Sequence, residues 1–102
     1  MNDEAREVLV TAALRGHQQA RRVMHGSIGD CALGVLHLTM HATRDDAIIC
    51  RDYSKVACER DMLQRFGLGW GDTREIIHRN DDLSQDFLTI ANKTGHENPP
   101  GR

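Results

Sequence analysis

The chain has 102 residues, of which 39% are hydrophobic and 27% are charged, and its net charge is −2 with histidine neutral. This length fits one domain, and the composition is that of a globular protein and not of a disordered chain. The small net charge excludes a strong field that would attract nucleic acid or an anionic membrane. Only 4% of residues are aromatic. An aliphatic core of this kind favours packed helices.

The first predicted helix spans residues 3–25. Asn2 or Asp3 can cap it, and apolar residues recur at helical spacing through both halves. These are Ala5, Val8, Leu9, Ala12, Ala13, Ala20, Val23 and Met24. Gly16 is either an interior glycine or a break, and Gly26 ends the helix. Arg15, Arg21 and Arg22 make a basic stretch on this helix, which could contact phosphates or simply lie in solvent.

The second predicted helix begins at Asp30 and runs to residue 42. Its apolar side chains cover most of the circumference, as expected for a central, buried helix. They are Cys31, Ala32, Leu33, Val35, Leu36, Leu38, Met40 and Ala42. One polar strip remains, formed by Asp30, Gly34, His37 and His41. We interpret this strip as a face toward solvent or a partner.

The polar strip also offers a candidate metal site. His37 and His41 lie one turn apart, so both imidazoles can reach one zinc or other divalent transition-metal ion, and Asp30 lies on the same strip. A further ligand would have to come from a residue brought close by folding. The candidates for it are His78, Cys50 and Cys58.

The second half of the chain contains three or four further predicted elements. Residues 43–51 are ambiguous between helix and strand, and we favour helix. Ser54 can cap a helix that ends at Gly67, and Asp72 with Glu75 forms a capping box for the next one. The last helix carries Phe87, Leu88, Ile90 and Ala91 and ends at Gly95, after an Asn80-Asp81-Asp82 turn and a possible Asp82/Gln85 capping box.

These elements predict an all-α domain of five or six short helices around a central apolar helix. The domain covers residues 1–95, and residues 96–102 form a flexible tail with two prolines. Trp70 stands between glycines, in a loop that could present its indole to a partner. We favour an indole folded over the core.

The order of several short motifs resembles a loose group of small helical proteins of bacteria and their phages. The motifs are Gly29-Asp30-Cys31-Ala32-Leu33-Gly34-Val35-Leu36, Phe66-Gly67-Leu68, Ile77-x-x-Asn80-Asp81 and Phe87-x-x-Ile90-Ala91. The resemblance covers roughly residues 29–94, except that the segment 41–62 has no counterpart. It implies a helical fold and a bacterial or phage setting. It carries over no catalytic residue.

The chain contains no signal for secretion or membrane insertion. Its N-terminus is acidic, no apolar run approaches the about 20 residues of a membrane span, and three cysteines do not make a disulfide framework. We therefore expect a cytoplasmic protein.

The sequence favours a non-enzymatic protein that binds a protein partner or forms a homodimer. It has no phosphate-binding glycine loop, dinucleotide fingerprint or nucleophile elbow. One alternative is a metal-binding protein or metal-dependent enzyme that uses His37 and His41. The other is a nucleic-acid-binding protein that uses the basic first helix.

Overall fold

The computed structural model describes residues 1–41, 43, 45 and 55–94, and in these ranges the chain is helical without any extended strand. The predicted all-α class is confirmed. The α-helices are α1 (Asp3–Leu14), α2 (Ala32–Leu38), α3 (Lys55–Arg65), α4 (Trp70–Ile77) and α5 (Phe87–Lys93), and a π-helical turn (His78–Asp82) follows α4 directly. Most of the ambiguous segment 43–51, together with Gly95 and the predicted tail, lies outside the described residues.

Helix α1 begins as the sequence predicts and ends much earlier. The Oδ1 atom of Asn2 accepts a hydrogen bond from the backbone N–H of Ala5 at 2.9 Å and so caps the helix. The helix ends at Leu14, and Gly16 follows with a φ of +71°, which glycine adopts readily. The prediction of one helix over residues 3–25 is therefore wrong, and Gly16 is a break.

Residues 15–31 form a loop that folds back onto the N-terminal end of α2. Backbone hydrogen bonds hold it there: Asp30 donates to Gln18 at 3.1 Å and accepts from Ala20 at 3.0 Å, and Cys31 donates to Met24 at 3.0 Å. These bonds pair backbone groups at the buried end of the loop that would otherwise be unsatisfied. The loop therefore covers Asp30 and one side of α2.

Helix α2 lies at the centre of the molecule, as predicted, although it is shorter than predicted. Every residue from Ala32 to His37 is buried. The Cys31 Sγ atom caps the helix by accepting from the N–H of Gly34 at 3.4 Å. Gly34 is required at its position because a Cβ atom there would overlap the carbonyl oxygen of Met24. The loop and the helix are thus in backbone contact.

The hydrophobic core lies between α2 and the helices around it. Helix α1 packs against α2 and α5, and α2 also contacts α3 and α4. The buried apolar residues are Ala5, Leu9, Ala12, Ala32, Leu33, Val35, Leu36, Met62, Phe66, Leu68, Ile76, Phe87, Ile90 and Ala91. Aliphatic side chains supply most of this core, as the composition predicts.

The last elements differ from the sequence prediction in their start points. Helix α4 begins at Trp70, because Asp72 accepts a hydrogen bond from the N–H of Gly69 at 2.8 Å. Trp70 is therefore a helical residue and not part of a glycine loop. The predicted Asn80-Asp81-Asp82 turn is helical, and the cap of α5 is Asp86, whose Oδ1 accepts from the N–H of Thr89 at 2.8 Å.

Candidate functional site: a buried chain of histidines

Four imidazoles and one carboxylate form a continuous series of hydrogen bonds, which we name the histidine chain. Asp30 contacts His17 (Oδ2 to Nε2, 2.6 Å) and His25 (Oδ1 to Nδ1, 2.7 Å). From His25 the series continues to His37 (Nε2 to Nδ1, 2.9 Å) and then to His41 (Nε2 to Nε2, 3.2 Å). The loop supplies His17, His25 and Asp30, whereas α2 and the turn after it supply His37 and His41.

The middle of the histidine chain is buried and its two ends are half-buried. Asp30 is 0% exposed, His37 is 1% exposed and His25 is 8% exposed. Our interpretation of Asp30 and His37 as part of a strip that faces solvent or a partner is therefore wrong. The reason is the loop, which covers a face of α2 that helical periodicity alone leaves polar.

The hydrogen bonds define which nitrogen carries each proton when Asp30 is ionised and the imidazoles are neutral. A carboxylate accepts only, so His17 donates from Nε2 and His25 donates from Nδ1. The Nε2 of His25 then accepts from Nδ1–H of His37, whose own Nε2 accepts from Nε2–H of His41. All four contacts are satisfied by one proton per histidine. Every donor points toward Asp30.

A cleft of about 480 Å³ opens between α1 and α2, and the histidine chain ends in its wall. Its lining residues are Glu4, Glu7, Val8, Thr11, Ala12, Arg15, His17, Val35, Leu38 and Thr39. The aliphatic residues form an apolar surface, and charged residues from α1 lie beside it. His17 belongs to both features, so the cleft is joined to the buried carboxylate of Asp30.

The three predicted metal-binding residues, Asp30, His37 and His41, all belong to the histidine chain, but they do not meet at one point. His37 and His41 are adjacent through their Nε2 atoms, whereas Asp30 connects to His37 through His25. In the parts of the chain that the structure describes, no three His, Cys, Asp or Glu side chains are grouped to hold a metal ion. Of the proposed further ligands, His78 pairs with Asp82 at 2.9 Å on the surface. Cys50 and the Cys58 side chain are outside the described residues.

The Cys31 thiol is largely buried and accepts hydrogen bonds from the backbone. Burial raises its pKa, an effect that hydrogen bonds from the backbone of Gly34 and Leu33 oppose in part. A nucleophilic cysteine needs the opposite shift, toward a thiolate. Cys31 therefore serves as the cap of α2.

The residues predicted to bind a partner are dispersed. Arg15 lies just after α1 and lines the cleft, whereas the side chain of Arg21 donates to the carbonyl of Ser84 at 3.4 Å. The backbone N–H of Arg22 donates to Asp81 at 2.8 Å. The predicted basic helix face is therefore wrong, since α1 ends at Leu14 and all three arginines lie on the loop. Trp70 begins α4, and its side chain is outside the described residues.

The side chain of Asn80, the first residue of the Asn-Asp motif, forms hydrogen bonds to three parts of the chain. This buried side chain accepts hydrogen bonds from Gln19 at 2.7 Å and from the backbone N–H of Ala32 at 3.1 Å, and donates to the carbonyl of Ala20 at 2.9 Å. It therefore joins the π-helical turn to the loop and to the first residue of α2. The Asn80 side chain therefore has a structural role.

Sequence reasoning missed two members of the histidine chain, His17 and His25. Neither is at helical spacing from Asp30, and only the folded loop brings them to it. One signal was available: four of the six histidines lie between residues 17 and 41. Such crowding indicates a shared environment but does not identify the contacts.

In comparisons with known proteins, the chain matches no family model, no curated protein and no solved structure. Within the described ranges, no helix has both the length and the hydropathy that crossing a membrane requires.

Proposed function

We propose that the chain is a small, non-enzymatic interaction protein of the bacterial or phage cytoplasm, and that it binds a segment of another protein in the cleft between α1 and α2. The cleft is the observation that carries this proposal. It combines an apolar surface from Val8, Ala12, Val35 and Leu38 with polar groups along α1. Concave, largely apolar surfaces with a few polar groups are typical of binding sites.

The charges beside the cleft favour a partner segment with apolar and basic side chains. Glu4 and Glu7 lie on the first two turns of α1, and Arg15 lies beyond its last turn. Glu4 already forms an exposed ion pair with Arg65 at 3.2 Å. A basic group next to Glu7 would therefore gain the most from this end of the cleft, mainly in orientation and rate of binding.

The test selects peptides from a displayed random library on the folded protein. Thr11→Trp places an indole in the cleft, and Leu88→Trp adds the same group on α5, outside the cleft lining. We expect selected peptides to carry apolar residues with Lys or Arg, to bind the Leu88→Trp variant, and to lose at least tenfold in affinity with Thr11→Trp.

Two outcomes would overturn the proposal. One is that no peptide is enriched, or that binding is equal in the two tryptophan variants. The other is a homodimer, seen by light scattering during gel filtration, that Thr11→Trp abolishes and Leu88→Trp preserves. That result would assign the cleft to a second copy of the chain instead of a foreign partner.

A further inference from the structure

The half-buried end of the histidine chain at His41 brings two imidazole nitrogens close to the spacing of metal ligands. The Nε2 atoms of His37 and His41 are 3.2 Å apart. Two nitrogens bound to one tetrahedral zinc at about 2.0–2.1 Å are separated by about 3.4 Å. For one ion to bind both nitrogens, the ring of the half-buried His41 must turn so that both lone pairs point at one position beside the line that joins them.

The buried part of the chain prepares His37 for this role. With Asp30 ionised and the imidazoles neutral, Asp30 accepts from Nδ1–H of His25, and the Nε2 of His25 therefore accepts from Nδ1–H of His37. The remaining nitrogen of His37, Nε2, then carries a lone pair directed at His41. In metal sites, a carboxylate or other acceptor behind a ligating histidine holds the ring and its tautomer in this way.

We propose that His37 and His41 bind a divalent transition-metal ion through their Nε2 atoms, with Asp30 and His25 positioning His37. In the metal-free state a proton on Nε2 of His41 lies between the two nitrogens, so metal binding requires that this proton move to Nδ1 of the same ring. In the described ranges no third protein ligand joins this pair, and water completes the coordination. The proposal is independent of the cleft and of what binds there.

The chemistry of the pair predicts which ions bind best. Imidazole nitrogen suits copper, nickel and zinc, and affinity for such donors rises from Ni²⁺ to Cu²⁺ and falls again to Zn²⁺. Mg²⁺ and Ca²⁺ prefer oxygen ligands and should not compete. Acidification should weaken binding, because protons compete for both nitrogens.

The test is calorimetric titration of the full, untagged chain with Cu²⁺, Ni²⁺ and Zn²⁺. His41→Ala removes one ligand at the half-buried end, and His78→Ala removes an exposed histidine elsewhere as the matched control. We expect one ion per chain for the wild type and for His78→Ala. With His41→Ala, affinity should fall at least tenfold.

A second variant tests the positioning residues. Asp30→Asn removes the carboxylate behind His25, and metal affinity should fall about 10- to 100-fold in protein that circular dichroism shows to be folded. If Asp30→Asn does not fold, His25→Gln takes its place. Equal metal binding by the wild type and His41→Ala, or no binding by the wild type, would overturn the proposal.

Discussion

At the scale of single residues, Gly34 fixes how closely the loop approaches α2. A methyl group there would overlap the carbonyl oxygen of Met24, which is backbone and cannot turn aside. We predict that Gly34→Ala lowers the free energy of unfolding by about 1–3 kcal/mol or more, as overpacking does. Urea denaturation measures this.

Gly71 is the matched control for Gly34. It lies in the first turn of α4, and a Cβ atom there would meet nothing within 4 Å. Gly71→Ala should raise stability by up to about 1 kcal/mol, because alanine is the better helix former. Equal effects of the two substitutions would contradict the close contact between loop and helix.

At the scale of elements, the capping of α5 by Asp86 should make stability depend on pH. The hydrogen bond from Thr89 holds the pKa of Asp86 below its usual value. A lowered folded-state pKa gives stability that is present above the unfolded-state pKa and lost as pH falls through the folded-state value. Asp86→Ala should therefore cost about 1 kcal/mol at neutral pH and progressively less in acid.

Asp86→Asn separates capping from charge in the same helix. Asparagine caps helices about as well as aspartate but does not ionise. Its unfolding free energy should stay close to that of the wild type at neutral pH, and its cap should be insensitive to acid. A loss as large as that of the alanine variant would show that the amide fails to replace the carboxylate at this cap.

The elements that the sequence predicts correctly are those specified by local chemistry. The Asn2 cap, the apolar circumference of α2 and the apolar spacing of α5 each depend on neighbours along the chain. The end of α1 and the π-helical turn depend on distant contacts instead. Gly16 permits either a helix or a break, and the hydrogen bonds between the loop and Asp30 favour the break. Periodicity cannot detect these bonds.

The candidate site is also predicted only where its contacts are local in sequence. Helical spacing places His37 and His41 together correctly, since they are one turn apart. It places Asp30 on the same strip, but it cannot show that His17 and His25 join them or that Asp30 reaches His37 through His25, because the loop has no regular period. The Asp30 carboxylate is therefore buried, although helical spacing predicts that it faces solvent or a partner.

At the scale of the whole molecule, the Asp30 carboxylate holds the loop together in the buried part of the histidine chain, because it contacts both His17 and His25. Replacing it with asparagine removes a buried carboxylate that accepts from two imidazoles. We predict a loss of about 3 kcal/mol in the free energy of unfolding, a large part of the about 5–15 kcal/mol typical of a domain. Thermal unfolding at neutral pH measures this.

Asp3→Asn is the corresponding surface control. The Asp3 side chain is fully exposed and pairs with Arg6 at 3.0 Å. Exposed pairs of this kind contribute little to stability because solvent screens them. A cost for Asp30→Asn no larger than that of Asp3→Asn would mean that the buried carboxylate does not stabilise the fold.

The most direct measurement is nitrogen-15 NMR of the histidine side chains in metal-free protein at neutral pH. We predict that His25 and His37 carry their protons on Nδ1, and that adding Zn²⁺ shifts the Nε2 signals of His37 and His41. We also predict that His78 is unaffected. A proton on Nε2 of His37, or rapid exchange between its two tautomers, would contradict the claim that Asp30 aligns the histidine chain.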